Sequence, residues 1–256
     1  MRYLLALVAI ATAYAQLGPP PAKPKPPRNA KEGAPVDFTG YWVLVVTEDW
    51  RWRMVTPAVG DFAGIPLTAE GRKIGNAWDP AKDEAAGEQC RAYGAPAVMR
   101  IPGRVHLTWA DDNTLQIDTD QGAQTRLLHF VGKAASGAAP TWQGYSVAQW
   151  EPPVRGLGSP QQGLGATREG NRGRSLEVIT TGLRPGYLRK NGPPYSGNTV
   201  LKEFFDLSVE RNGDPWFVVT TIVEDPQNLS EPFVTSTNFK KQRDAAGFSP
   251  TACSAR

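Results

Sequence analysis

The segment from Thr199 to Glu224 constrains this chain more than any other. Two runs rich in β-branched and aromatic residues, Thr199–Glu210 and Trp216–Glu224, flank Asn212-Gly213-Asp214. Asn and Gly tolerate the left-handed backbone of a tight turn, so the segment predicts a long β-hairpin. Side chains alternate across a strand, which puts Lys202, Phe204 and Asp206 on one face and Glu203 and Phe205 on the other. The partner strand brings Trp216, Val218, Thr220, Ile222 and Glu224 to one face. Carboxylates beside apolar neighbours are candidates for raised pKa and acid–base work; paired with Lys202 or an arginine they are satisfied ion pairs.

Similar runs recur through most of the chain: Tyr41–Trp50, Val98–Ile101 with Arg104–Trp109, Thr114–Thr119, Gln124–Val131, Thr141–Trp150, Ser175–Leu183 and Phe233–Lys240. Asp111-Asp112-Asn113 and Gln121-Gly122 read as tight turns. Helical signal is thin, with one helix capped by Thr68 and a further turn or two starting at Asp79-Pro80. The expectation is an all-β domain over residues 37–256: a single up-and-down, lipocalin-like barrel or strongly bent antiparallel sheet of about 8–9 strands, with one or two short helices. At 256 residues, with 40% hydrophobic and 21% charged, the chain can bury a sizeable core and is not a disordered sequence.

The N-terminus predicts export. Arg2 precedes the apolar run Leu4–Ala11, and Ala13-Tyr14-Ala15 fits an A-x-A cleavage site, so residues 1–15 read as a cleaved signal peptide. The run is too short to span a bilayer. Residues 16–36 follow as a proline-rich linker with Pro19-Pro20-Pro21 and Pro24-Lys25-Pro26-Pro27. A periplasmic or secreted location makes Cys90 and Cys253, the only cysteines, a candidate disulfide. A net charge of +3 and the lack of a basic helix argue against nucleic acid as a partner. Residues 151–174 shift to Gly, Pro, Gln and Arg and read as a flexible loop; no P-loop or Rossmann spacing accompanies their glycines.

Two resemblances follow. Asp37-Phe38-Thr39-Gly40-Tyr41-Trp42 is similar to the G-x-W motif that opens lipocalins and related calycin barrels. That likeness implies that Trp42 closes the barrel base under a basic residue from the last strand, for which Lys240, Lys241 and Arg243 are candidates. The segments 47–54, 184–192 and 219–226 resemble a family of uncharacterised exported bacterial proteins, a likeness that implies no activity.

Four clusters are candidates for chemistry. Glu48 to Arg53, read as the end of a strand, would set Trp50 and Trp52 on one face as stacking walls, with Arg51 and Arg53 on the other to bind a carboxylate or a structural acid. Arg184 to Tyr195 is a Pro- and Gly-shaped loop in which Arg184, Arg189 or Lys190 would hold an anion and Tyr187 or Tyr195 would relay protons. The hairpin supplies Asp206 and Glu224. The histidines, His106 and His129, fall on one sheet face but about 15 Å or more apart, too far for one metal; His129 alone is a candidate base or a structural histidine. No H-E-x-x-H, C-x-x-C or G-x-S-x-G motif is present, so no metal and no cofactor is expected.

These groups suit proton-transfer chemistry of the lyase, isomerase or decarboxylase kind on a small apolar or aromatic substrate, held in a barrel pocket. A carrier binding such a molecule without turnover, or an envelope interaction module, would use the same residues differently.

Overall fold

The computed structural model describes residues 27–134, 137–151 and 175–255. The signal peptide expected at 1–15, residues 16–26 of the expected linker and residues 152–174 of the expected loop lie outside them. Strand β1 (Gly40–Val45) opens the domain and is followed by helices α1 (Trp50–Arg53), α2 (Ala69–Asn76) and α3 (Pro80–Ala85). A 3-10 turn (Gln89–Tyr93) and helix α4 (Ala95–Val98) complete this segment. Then come β2 (Arg104–Asp111), β3 (Thr114–Thr119), β4 (Gln121–Gly122), β5 (Thr125–His129), β6 (Tyr145–Trp150), β7 (Leu176–Thr181), β8 (Gly186–Tyr187) and β9 (Pro194–Tyr195). The chain ends with β10 (Val200–Val209), β11 (Pro215–Glu224), β12 (Phe233–Lys241) and β13 (Thr251–Ala252).

Nine strands close a barrel in the order β1-β12-β11-β10-β7-β6-β5-β3-β2. Strand directions cannot alternate around a ring with an odd number of members, so one neighbouring pair must be parallel. That pair is β5–β6, joined by only two residue pairs, Leu128↔Ser146 and His129↔Val147. The purely up-and-down expectation is corrected at this seam, where the connection from His129 to Tyr145 returns the chain to the same end. The predicted hairpin forms over its whole length, from Val200↔Glu224 to Val209↔Pro215. Its turn is closed by Gly213 N–H donating to Glu210 O at 2.9 Å, with Gly213 at φ +85°.

Four short helices stand where one or two were expected. Thr68 and Asp79 cap α2 and α3 as read, their side chains accepting from the Gly71 and Ala81 N–H groups. Of the other two, α1 replaces the end of an expected strand and α4 overlaps one at Val98. β1 stops at Val45, because Asp49 turns the chain at φ +51° into α1. The run Val98–Ile101 is the end of α4 and the turn after it; Gly94 and Pro96 start that helix, and burial of all four of its residues gives it an apolar run that looks like strand.

The barrel interior is filled. Trp42, Leu107, Phe205, Phe217 and Phe239 are among its fully buried side chains, with Phe217 stacked on Phe239 at 4.5 Å. Trp42 donates to Phe38 O at 2.8 Å, and the Lys241 ammonium from the last long strand lies 4.4 Å from its ring centre. Of the three cations considered for that place, Lys241 takes it. At this end residues 27–36 also fasten on: Ala30 N–H donates to Asn113 Oδ1 and Lys31 N–H to Asp112 O, both at 3.0 Å.

At the opposite end a second apolar cluster joins the strand ends Leu201, Val223 and Phe233 to Phe62, Ile65, Leu188 and Tyr195 of the intervening segments. Between the two clusters lies a polar layer. Arg126 and Glu203, both fully buried, form a two-pronged pair at 3.2 and 2.7 Å. Arg126 Nη2 also reaches Thr180 Oγ1 at 3.3 Å, and Thr180 and Ser146 share a hydrogen bond of 2.7 Å. The Cys90–Cys253 disulfide closes a span of 163 residues and ties the 3-10 turn to the C-terminal tail.

Removing one partner of a buried ion pair leaves an uncompensated charge, so Glu203→Ala is expected to cost about 3–5 kcal/mol. The double variant Arg126→Met/Glu203→Leu should recover most of that loss in urea unfolding. Reducing the disulfide should lower stability by about 2–4 kcal/mol, read from the urea midpoint with and without reductant.

Candidate functional site

The segment between β1 and β2 covers the second apolar cluster, and the loop between β8 and β9 packs beside it. Where they meet, a small pocket of about 70 Å³ opens. Its wall is apolar at Trp52, Ile65, Ile101, Leu188 and Phe233, and cationic at Arg53, Arg100, Arg189 and Lys190. It lies on the capped end of the barrel, whereas the sequence suggested a pocket within the barrel. The reason is steric: Trp42 and the phenylalanines of the core occupy the interior.

Arg53 reaches this wall from α1. The helix sends Trp52 and Arg53 to the pocket and leaves Trp50 69% exposed, with Arg51 exposed beside it. A helical turn replaces the expected strand alternation, so the two tryptophans do not form one stacking wall. The Arg53 side chain is only 3% exposed. Its Nε donates to Arg100 O at 3.1 Å, while Nη1 and Nη2 are buried without a hydrogen-bond acceptor. Glu48 lies 3.7 Å from Nη1, an ion-pair distance rather than a hydrogen bond.

Arg100 follows α4. Its Nη2 donates to Asp49 Oδ2 at 2.8 Å, its Nη1 has no acceptor, and its guanidinium lies 5.2 Å from the Phe233 ring centre. Arg189 enters from the β8–β9 loop and donates to the carbonyls of Asp61 and Ala63 at 3.4 and 3.3 Å; its Nε is buried and unpartnered. Asp61 braces the mouth from below. Its carboxylate accepts the Trp52 indole N–H at 3.1 Å, and its carbonyl accepts Asn191 Nδ2 at 2.9 Å.

Burial, with the Arg100 charge adding to it and nearby carboxylates opposing, lowers the Arg53 and Arg189 guanidinium pKa values to about 10. Three like charges with unfilled donors face one volume lined by apolar groups. An anion placed there would satisfy the donors and relieve the repulsion.

The pocket joins two of the clusters singled out in the sequence, bringing Trp52 and Arg53 of the first to Arg189 and Lys190 of the second. The remaining site residues are placed elsewhere. Tyr187 is buried in a cluster of its own, donating to Asp83 Oδ1 at 3.4 Å beneath the Arg91 guanidinium at 4.6 Å. Tyr195 belongs to the second apolar cluster, where burial pushes its phenol up, and its hydroxyl has no hydrogen-bond partner. Arg184 lies 4.4 Å from the Trp142 ring centre and pairs with Glu88. His129 stacks on Tyr145 at 4.7 Å on the outer sheet face, and His106 stacks on Tyr41 at 3.9 Å. Glu224 is exposed at the end of β11, and Asp206 is half-buried on the outer face of β10.

Sequence reasoning missed Arg100, Asp61 and Phe233. Arg100 follows an apolar run that reads as strand, and no local spacing links it to Arg53 or Arg189. Among the described residues no group of three or more His, Cys, Asp or Glu is arranged to hold a metal ion, and no helix is long and apolar enough to cross a membrane. Comparison with family models, with curated proteins and with solved structures finds no match for this chain.

Burial pushes the Tyr187 phenol up to about 12, with Asp83 adding to the effect and Arg91 opposing it. Its folded pKa therefore lies above the ordinary tyrosine value of 10. Tyr187 contributes fully below pH 10, and stability falls as pH rises from there through about 12. Tyr187→Phe should show a smaller loss of urea midpoint than the native chain between about pH 9 and about pH 11.

Proposed function

We propose that this protein binds a small molecule carrying a carboxylate on a flat, apolar body, with the carboxylate on Arg53, Arg100 and Arg189. The observation that carries this reading is the set of buried guanidinium nitrogens without acceptors, above all Nη1 and Nη2 of Arg53. A carboxylate accepts through two oxygens in the planar geometry that a guanidinium offers, and a water-excluding wall strengthens each such bond. Trp52, Leu188 and Phe233 supply apolar surface for the rest of the molecule.

Binding without turnover is favoured over the lyase- or isomerase-type chemistry expected from the sequence. Proton transfer needs an acid or base within hydrogen-bond reach of the reacting atom. Tyr187, Tyr195, Glu224 and His129 are not on the pocket wall, whose titratable groups are the arginines, Lys190 and Asp49. Of these, arginine stays protonated at neutral pH.

Action outside the cytoplasm, after removal of residues 1–15, belongs to the same proposal and is supported by the Cys90–Cys253 bridge. A relation to lipocalin-type barrels is supported by Lys241 over Trp42, as is membership of the exported family by the segments that resemble it.

Benzoate is the simplest probe of this chemistry. Titrated calorimetrically at low ionic strength, it should bind the native chain with a dissociation constant of about 10 µM to 1 mM, as expected for one clamped carboxylate and one ring. Benzyl alcohol, which lacks the charge, should bind at least about tenfold more weakly. Arg53→Met, which keeps the apolar stem, should lose benzoate binding by about tenfold or more while remaining folded. Equal binding of benzoate by Arg53→Met and the native chain would rule this pocket out as the site.

A further inference from the structure

Asp49 is the N-cap residue of α1, and the side chain of such a residue ordinarily accepts a hydrogen bond from the first turn. Here it makes none. The backbone carbonyl of Asp49 still accepts from Trp52 and Arg53 N–H, at 2.8 and 3.0 Å, so the helix itself is intact. The carboxylate is turned away, across 51 residues of sequence, to Arg100 Nη2 at 2.8 Å. It lies on the pocket wall, and its negative charge favours the charged forms of Arg53 and Arg189.

From this placement we infer that Asp49 is a built-in competitor: its carboxylate fills part of the anion site of the pocket and is exchanged for the carboxylate of the ligand. The inference rests on the binding reading above and adds the residue that sets the strength and charge preference of that site.

Two features support the exchange. The Asp49 side chain is 42% exposed whereas that of Arg100 is 11% exposed, so the acid has water to move into and the base does not. An ion pair with one partner so exposed contributes little, so separating it costs little. Arg100 offers a second prong, Nη1, that Asp49 leaves unused, and a ligand carboxylate shared with Arg53 would take it.

A second consequence concerns charge. With Asp49 in place the guanidinium cluster is partly neutralised, which favours a ligand with a single negative charge. Removing that carboxylate strengthens the local positive field and should favour more highly charged anions.

The test compares benzoate and phthalate, which add one and two carboxylates to the same ring, on the native chain and on Asp49→Asn. Asparagine keeps the tolerance for positive φ that Asp49 needs, so the turn and helix are retained. Asp49→Gly serves as a second variant, free of backbone strain and of any side chain at all. Both variants should bind benzoate about threefold to tenfold more tightly than the native chain, with a larger gain for phthalate. Unchanged or weaker benzoate binding in both would overturn the competitor role and make Asp49 a residue that orients Arg100. Retention of native benzoate affinity by Arg53→Met would instead overturn the site itself, so the two failures are distinguishable.

Discussion

The pair between Arg126 and Glu203 sets the conditions under which this barrel folds. A guanidinium and a carboxylate, both without solvent exposure, sit in the layer between the core of the barrel and the apolar cluster under the cap. Taking two such groups out of water costs more than their attraction returns unless the hydrogen bonds are nearly complete. Here both prongs of the pair form, and Thr180 and Ser146 extend the network. The network binds β5, β6, β7 and β10, the strands on both sides of the parallel seam. That seam has only two paired residues, so a cross-link through the interior holds strands that the ladder holds weakly. Slipping one strand by a residue would turn Arg126 or Glu203 outward and leave the other buried alone. The pair thus fixes register where backbone pairing is thinnest.

Above this layer the cap is built from short pieces with little regular structure, and specific ties hold it. The disulfide anchors the 3-10 turn, and Asp61 joins Trp52 to the loop of Arg189 and Asn191. At the far end of the barrel, Lys241 covers Trp42. Both barrel ends are closed, and the interior is filled. Space for a ligand is therefore found between the closing segments rather than within the barrel.

Much of the barrel was legible in the sequence because its strands carry strong alternation and sharp turn chemistry. The β10–β11 hairpin, the Thr68 and Asp79 caps and the cysteine pair all have local or pairwise signatures. The pocket was half legible. The 48–53 and 184–195 segments stood out for their density of Arg, Trp and Tyr, but their meeting depends on the path of the cap, which no period records. Two local misreadings had the same origin. In the 50–53 and 98–101 segments, tertiary burial or a single turned residue decides between helix and strand; the run Trp50-Arg51-Trp52-Arg53 fits either period over four residues. The Arg126–Glu203 pair was hidden differently: Glu203 was placed with Phe205 on the face opposite Lys202, but nothing near it in sequence names its partner 77 residues away.

The two arginine sites of this molecule make the argument for a ligand by their contrast. Arg126 is fully buried, and the fold supplies it with a two-pronged carboxylate from Glu203 and with hydroxyl acceptors. Arg53 is almost as buried at 3% side-chain exposure, yet Nη1 and Nη2 have no hydrogen-bond acceptor, and the charge of Arg100 faces them. One chain therefore contains a guanidinium that meets its carboxylate through both Nη atoms, with Nε alone unpartnered, and another of similar burial whose Nη atoms have no acceptor. Stability alone would favour replacing Arg53 with an apolar residue, since an incompletely paired buried charge is costly. The difference between the sites lies in access: Arg126 is sealed between apolar layers, whereas Arg53 borders a pocket open to solution. A carboxylate arriving from solution can do for Arg53 what Glu203 does for Arg126. On the proposed reading, such a carboxylate would offset the cost of burying the Arg53 guanidinium.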